Sequence, residues 1–207
     1  MGDMVLAASA ITYLGPFESS YRKALTDESW LRLLQDTSAL PSRTRLFELR
    51  EAVGDTDKMQ QWELQGIPND SVSYENMIIL EATIASRWPV IIDPQEQALA
   101  FLREYLDHDY HNIKATGDKF KQQLEYALAK GATVLCQNVG QLDGPADFLT
   151  VLDREVSTVA GTDYIKFGDG QVEYDPNFRL LMLTSLENPH VSPRVQSKVQ
   201  MLNFSTT

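Results

Sequence analysis

The residues best placed to do chemistry follow a short apolar run at positions 90–92 and precede an amphipathic segment. A strand, a turn and a helix in this order form the layout of a nucleotide-binding P-loop, where glycines bring backbone N–H groups to phosphate oxygens and a lysine contacts the outer phosphates. The turn here is made of Asp93, Pro94, Gln95, Glu96 and Gln97. It contains no glycine, no lysine and no Ser or Thr for Mg²⁺, and its two acids would repel phosphate. The segment therefore predicts the scaffold of an ATPase without its chemistry.

An ATPase site of this kind also needs polar groups at the ends of two neighbouring strands. An acidic pair should follow the third strand, to hold the metal ion and activate water. Here Gln137 and Asn138 follow the apolar run at 133–136, and an amide can neither act as a base nor balance the charge of Mg²⁺. Thr184 keeps a hydroxyl at the position of a sensor residue. We therefore expect no catalytic residue, no cofactor and no metal site.

Two cations near the end of the chain are candidates for contact with an adjacent module. Arg194 and Lys198 lie in a short segment that begins with Pro193, a residue favoured at the start of a helix. ATPases that work as rings offer an arginine from such a position to the neighbouring site. A solvated basic face on a short helix explains the same residues at least as well, so both interpretations stay open.

The composition argues against several classes of partner and location. Among 207 residues, 29 are acidic and 18 are Lys or Arg, and the formal net charge of −11 disfavours nucleic acid and anionic membranes. No apolar run approaches the length of a membrane span, and Asp3 without a basic residue before the apolar start argues against a signal peptide. The single cysteine, Cys136, fits a reducing compartment such as the cytoplasm.

The first 87 residues predict helices, which we expect to form an N-terminal extension that packs on the core. Apolar positions at helical spacing favour helices at 4–14, 19–35, 44–53, 57–65 and 73–86. Gly15-Pro16, Pro41 and Gly66 mark breaks between them.

From residue 88 to 207, apolar strands alternate with helices. We expect strands at 90–92, 112–115, 133–136, 178–183 and 199–204, and helices at 94–106, 118–130, 145–152 and 193–198. Gly168-Asp169-Gly170 predicts a β-hairpin insert between 164–167 and 171–174, before the fourth strand. Strands separated by helices imply βαβ units. The fold class is therefore α/β, with a mainly parallel five-stranded sheet covered by helices on both faces.

Many short segments of the chain resemble the dynein heavy chain. They are Gly2-Asp3-Met4-Val5-Leu6-Ala7-Ala8, Tyr13-Leu14-Gly15-Pro16-Phe17, Glu75-Asn76, Arg87-Trp88-Pro89, Ile92-Asp93-Pro94-Gln95, Val134-Leu135, Asn138-Val139-Gly140, Tyr174-Asp175-Pro176-Asn177-Phe178-Arg179 and Asn188-Pro189-His190. Together they resemble the fifth AAA+ module of the motor ring, and the resemblance runs from about residue 2 to Phe204. Some relatives carry glycine at the position of Glu96, and relatives more often carry glutamate at the position of Gln137. Both differences weaken a nucleotide site further.

The resemblance implies a degenerate AAA+ large subdomain, a P-loop-like three-layer αβα sandwich, held between the fourth and sixth modules. It implies a non-catalytic ring element of an ATP-hydrolysing microtubule motor, in the cytoplasm, on the cytoskeleton or in a cilium. Such an element would transmit conformational change between the ATPase modules, the stalk and the linker, and would meet the strut and other dynein chains indirectly. The helical small subdomain would follow Thr207.

Two other functions remain open on the residues alone. A non-hydrolysing regulatory domain could bind nucleotide through backbone donors at the helix start near Pro94. A stand-alone enzyme could use Asp93 and Glu96 with His108 and His111, although a solvated helix end explains the histidines better than a metal site does. The simplest interpretation of Asp93 and its neighbour Gln95 is that they cap the following helix.

Overall fold

The computed structural model describes residues 1–37, 46–107, 109–140 and 146–205. The helices are Gly2–Tyr13 (α1), Ser19–Lys23 (α2), Arg32–Thr37 (α3), Leu49–Val53 (α4), Thr56–Leu64 (α5), Ser71–Thr83 (α6), Gln97–Tyr105 (α7), Phe120–Lys130 (α8), Ala146–Asp153 (α9) and Pro193–Gln196 (α10). The strands are Trp88–Ile92 (β1), His111–Lys114 (β2), Thr133–Gln137 (β3), Val156–Val159 (β4), Thr162–Phe167 (β5), Gly170–Glu173 (β6), Arg179–Thr184 (β7) and Val199–Asn203 (β8).

The main sheet has five strands in the order β2-β3-β7-β1-β8, and each neighbouring pair is parallel. These are the five strands predicted from the apolar runs, with ends shifted by one or two residues. In the register, Ile92 lies beside Thr184 on one side and beside Asn203 on the other. The carboxyl ends of β7, β1 and β8 therefore meet at one edge of the sheet, which is where α/β proteins build their sites.

Side chains of the sheet alternate between two apolar clusters, one on each face. On β1, Ile91 packs with the helical layer that contains α1, α6 and α7, whereas Val90 packs with the layer of α8, α9 and α10. On β3, Leu135 and Val134 divide in the same way. The period of two in these buried strands is what the pleat imposes. The predicted α/β sandwich with helices on both faces is confirmed.

A second sheet lies between α9 and β7. Its strands β4, β5 and β6 are antiparallel in that order, so the predicted hairpin is confirmed as β5 and β6. The sequence did not predict β4, whose four residues are all exposed. Ala160 and Gly161 form its two-residue turn to β5 and both have positive φ, +53° and +86°. Alanine rarely adopts that conformation, so the turn lacked the Asn-Gly or Asp-Gly pair that usually indicates such a hairpin.

The N-terminal helices begin and end within three residues of their predicted bounds, apart from the start of the helix predicted at 44–53. The helix predicted at 19–35 continues to Thr37 and contains a π-helical segment, Ala24–Leu31. The helix predicted at 44–53 begins at Leu49 in the described residues, and Thr44 lies outside them. Glu48 is extended, and the N–H of Phe47 donates to Asp27 Oδ1 at 3.1 Å. This contact holds the chain away from a helical path before α4.

Arg22 joins the N-terminal helices to the sheet. Its side chain is 3% exposed and donates to Asn76 Oδ1 at 2.6 Å and to Glu75 Oε2 at 3.0 Å, both on α6. It also donates to the backbone oxygens of Phe17 (2.8 Å) and Gly15 (3.1 Å). Burial lowers the pKa of Arg22, and the Glu75 carboxylate opposes that shift. A buried cation with this many acceptors fixes the positions of the elements that supply them.

The same network continues into the edge strand β8. Asn76 Nδ2 donates to the backbone oxygen of Asn203 at 2.6 Å, and the N–H of Asn203 donates to the oxygen of Gly15 at 2.8 Å. A Cβ on Gly15 would lie 2.1 Å from the oxygen of Met201, so only glycine allows this approach. We call Gly15, Arg22, Asn76 and Asn203 the arginine network. It links α2, α6 and β8, and the division of the chain at residues 87 and 88 stays a prediction.

Arg22→Ala should lower the free energy of unfolding by about 3 kcal/mol, because it leaves buried acceptors without a donor. The matched control is Arg50→Ala, which removes an exposed ion pair with Glu48 and should cost about 0.5 kcal/mol or less. Urea unfolding followed by circular dichroism measures both. Equal costs for the two variants would show that the network does not hold the N-terminal helices to the sheet.

Candidate functional site

Asp93 directly follows β1 and is 1% exposed. Its carboxylate accepts three backbone N–H groups from the start of α7, those of Gln97 (2.8 Å), Ala98 (2.9 Å) and Leu99 (3.0 Å). Free donors at the start of a helix are the groups that bind phosphate in a P-loop. At this position the chain's own carboxylate occupies them. The prediction that Asp93 caps the helix is confirmed by these hydrogen bonds.

The turn before α7 is shorter and tighter than a phosphate-binding loop. Glu96 is left-handed, with φ of +56°, and its N–H lies 3.3 Å from the backbone oxygen of Asp93. The predicted helix start at Pro94 is therefore wrong, and α7 begins at Gln97. Gln95 is exposed, and its Oε1 accepts from Gln97 Nε2 at 3.3 Å. The strained residue is what lets the carboxylate of Asp93 reach back over the helix end.

Burial raises the pKa of Asp93, because a carboxylate loses hydration inside the protein. The three N–H groups favour the charged form and oppose this shift, whereas the nearby charge of Glu96 adds to it. An incoming phosphate would meet both acids at the donors it needs. The electrostatics of this turn thus disfavour an anionic ligand.

Gln137 and Asn138 lie at the end of β3, on the same sheet edge as Asp93 but two strands away. Asn138 is exposed and left-handed, with φ of +56°. The backbone oxygen of Gln137 accepts from Ala115 at 2.9 Å. Its buried Nε2 has no hydrogen-bond acceptor in the described part of the chain. These amides occupy the predicted place of the acidic pair.

Thr184 ends β7, between the other two strands of the site. It is buried, its backbone oxygen accepts the N–H of Asp93 at 2.9 Å, and its Oγ1 accepts the N–H of Leu186 at 3.2 Å. The hydroxyl oxygen thus stabilises the turn that follows β7. The structure therefore brings together the predicted residues Asp93, Gln137 and Thr184 at one edge.

Arg194 and Lys198 lie elsewhere. Both precede β8, and the backbone oxygen of Lys198 accepts the N–H of Trp88 at the start of β1, so they sit at the amino edge of the sheet. Arg194 is paired with one carboxylate oxygen of Asp153, and Lys198 Nζ is 3.9 Å from the other. Contact with a neighbouring module stays a prediction for these two residues.

Of the two histidines of the predicted stand-alone enzyme, His111 is not brought to the site. His111 begins β2 at the amino edge and packs its ring against Tyr126, with centroids 5.8 Å apart. His108 lies outside the described residues. Within the described ranges, no group of three or more His, Cys, Asp or Glu could hold a metal ion, and no helix is long and apolar enough to cross a membrane.

A cavity of about 440 Å³ opens beside the turn, and sequence reasoning did not predict its walls. It is lined by Pro16, Phe17, Glu18, Tyr21, Gln95, Glu187, Asn203 and Ser205. The rings of Phe17 and Tyr21 lie 4.7 Å apart, and since Phe17 precedes α2, helical spacing alone did not indicate this contact. The charged residues in the wall, Glu18 and Glu187, are acids, so the cavity adds no attraction for phosphate.

A parallel five-stranded sheet between helical layers, with a strand–turn–helix junction at its carboxyl edge, defines this protein as an α/β module of the AAA+ type. Residues 60–207 match the family described as the ATP-binding dynein motor region, and the chain belongs to that family.

Individual relatives match along the whole chain. Dynein axonemal heavy chain 2 of Mus musculus is 34% identical over 216 residues, covering 99% of this chain. Dynein axonemal heavy chain 11 of Sus scrofa is 35% identical over 209 residues, and the ciliary dynein beta chain of Tripneustes gratilla is 32% identical over 206 residues, each covering 100% of this chain. The chain spans 4% of the length of each of these relatives.

Asp93→Ala should lower the free energy of unfolding by about 1–2 kcal/mol, because three backbone N–H groups lose their acceptor. Asp93→Asn keeps an acceptor oxygen and should cost less than the alanine variant. Chemical unfolding of both variants at neutral pH is the measurement. An alanine variant as stable as the unmodified chain would contradict the role of Asp93 as a cap.

The charge of Asp93 should also make the free energy of unfolding depend on pH in a defined direction. Since its pKa is raised in the folded chain, the folded state binds the proton more tightly than the unfolded state does. The unmodified chain should therefore gain stability relative to Asp93→Asn as the pH falls from the raised value towards the ordinary value of 3.8. Unfolding of the two chains at a series of pH values gives the difference. If the unmodified chain instead lost stability relative to Asp93→Asn as the pH fell, the pKa of Asp93 would be lowered in the folded chain and not raised.

Proposed function

We propose that this chain is a non-catalytic AAA+ module in the ring of a dynein motor. The single observation that carries the proposal is the position of the Asp93 carboxylate on the three donors of α7. A phosphate could enter only by displacing a buried side chain that is attached to the same strand. The effective concentration of that internal anion is high, so a free nucleotide competes poorly.

The rest of the site supports the absence of catalysis. Gln137 and Asn138 offer amides where water activation needs a carboxylate, and the oxygen of the Thr184 hydroxyl is engaged by Leu186. The turn itself supplies Glu96 rather than a lysine. No group in this arrangement can both balance the charge of Mg²⁺-nucleotide and take a proton from water.

We further propose the place of the module in the motor. The sequence resembles the fifth module, which would lie between the fourth and sixth modules and act indirectly on the stalk and strut. The names of the relatives, axonemal and ciliary dynein heavy chains, favour a motor of the cilium or flagellum. In that setting ATP hydrolysis occurs in other modules, and this one transmits their movement between the stalk and the linker.

The arginine network gives this mechanical role a physical basis. Because Arg22 and Asn76 connect the N-terminal segment to α6 and β8, a force applied to the N-terminal helices reaches the sheet through buried hydrogen bonds. Arg194 could pass force onward, since its side chain is 65% exposed and could exchange Asp153 for an acid of a neighbour. We therefore expect residues 1–87 and 88–207 to move as one body.

Calorimetric titration of the folded chain with Mg-ATP and with Mg-ADP tests the proposal. We expect no detectable heat at millimolar nucleotide, with circular dichroism as the control for folding. Saturable binding would overturn the argument from Asp93 and favour the regulatory, non-hydrolysing alternative. A nucleotide-dependent rise in melting temperature would report the same outcome independently.

The double variant Glu96→Gly and Gln97→Lys should not hydrolyse ATP. It restores a glycine and a lysine to the turn, yet Gln137 and Asn138 still provide neither a base nor a metal ligand. Phosphate release under steady-state conditions is the measurement, with the unmodified chain as the background. Release above that background would contradict the assignment of the defect to the end of β3.

A further inference from the structure

A second cavity, of about 270 Å³, lies at the amino edge of the sheet, opposite the degenerate site. Its walls are Ile84, Ala85, Trp88, Arg154, Tyr174, Pro176, Asn177, Phe178, Arg179 and Leu180. Two arginines and three aromatic rings distinguish it from the rest of a chain whose net charge is −11. We call it the basic cavity.

Arg154 is held over an aromatic ring with part of its hydrogen-bonding capacity unused. Its guanidinium carbon lies 4.0 Å from the centroid of the Trp88 ring, and Nη1 donates to the backbone oxygen of Ala85 at 3.2 Å. Trp88 is fixed in turn by its indole N–H, which donates to the backbone oxygen of Leu152 at 3.1 Å. Arg154 Nε is buried without an acceptor among the described residues. An unsatisfied donor of this kind is costly unless a ligand completes it.

The backbone at Arg154 is strained in a way that favours this placement. It follows α9 with φ of +51°, and its N–H donates to the oxygen of Val151 at 3.2 Å. A left-handed conformation at a residue other than glycine costs free energy and persists where the surroundings impose it. Here it turns the arginine from the end of α9 onto Trp88.

Arg179 supplies the second charge of the cavity. It is exposed at the start of β7, and its side chain forms no ion pair in the part of the chain that the structure describes. Asp163 and Asp175 lie close enough to raise the pKa of Tyr174, but neither acid is in the cavity wall. Asp175 accepts the backbone N–H and the side-chain amide of Asn177, and Asp153 pairs with Arg194. The cavity thus has two cations and no acid in its wall.

We propose that the basic cavity receives an acidic side chain, a glutamate or aspartate, from another protein segment. Guanidinium groups pair with carboxylates through paired N–H donors, and the free Nε–H of Arg154 is one of them. Trp88, Tyr174 and Phe178 offer apolar walls for the methylene groups of the acid, with ring centroids of 5.9 and 6.4 Å between neighbours.

The size of the basic cavity and the negative charge of the surrounding surface favour a single acidic side chain over other ligands. The cavity lies below the usual range for a drug-sized ligand, so it fits one side chain rather than a nucleotide. A polyanion such as nucleic acid would be repelled by the acidic remainder of the surface, whereas a single carboxylate is tolerated. This proposal does not depend on the motor function proposed above.

Nuclear magnetic resonance of the full chain tests the proposal directly. The probe is acetyl-Leu-Glu-Leu-amide, and its matched control is acetyl-Leu-Gln-Leu-amide. We expect the Nε–H resonance of Arg154 and the indole N–H resonance of Trp88 to shift in a saturable way, with at least tenfold tighter binding of the glutamate peptide. A new hydrogen bond to the buried Nε–H should move its proton resonance downfield.

Variants separate the cavity from general charge attraction. Arg154→Lys keeps a positive charge but removes the Nε–H and the planar stack, and Arg179→Gln removes an exposed charge without touching the core. Each variant should lower the affinity for the glutamate peptide at least fivefold. The control Arg103→Gln, which replaces an exposed arginine on α7, should leave that affinity unchanged.

Four results would overturn the proposal. They are no saturable shift, equal binding of the two peptides, full binding by Arg179→Gln, and tighter binding of inorganic phosphate than of the glutamate peptide. The last would mean a site for small free anions. Arg179→Gln keeps the test valid even if Arg154→Lys does not fold.

Discussion

The buried guanidinium of Arg22 is the interaction on which the rest of the structure depends. It lies where α6 and the segment between α1 and α2 would otherwise leave carbonyl and amide oxygens unpaired beside an apolar layer. Asn76 extends it to Asn203, at the carboxyl end of β8. Because β8 pairs with β1, this network also sets where Asp93 emerges from the sheet. A charged side chain in the helical half thus helps to position the site.

Asp93 changes what a familiar scaffold can do. The strand, turn and helix have the order of a nucleotide-binding unit, yet the helix end is completed by the chain itself. A carboxylate and a phosphate satisfy the same kind of donor, and in this structure the carboxylate of Asp93 occupies the three donors at the start of α7. The proposed function therefore assigns this module a role through its shape and its contacts.

The apolar runs predicted the parallel sheet because a strand that is buried on both faces has a nearly continuous run of apolar residues. They also predicted the edge where Asp93, Gln137 and Thr184 meet. They could not predict the left-handed Glu96, since glutamate carries no signal for that conformation. The side-chain partners of Arg22, Glu75 and Asn76, were equally hidden, because they lie more than fifty residues away and only the fold brings them together. Local sequence patterns predict helices and strands, but they do not predict contacts between polar residues that are far apart in the chain.

The cap at α7 bears on how this helix end responds to the ATP supply of the cell. A helix end that needs a nucleotide to satisfy its donors changes stability whenever the nucleotide leaves. Here the carboxylate of Asp93 satisfies these donors without a bound nucleotide. Under the proposed function, we therefore expect the stability of this helix end to stay the same whether ATP is plentiful or exhausted.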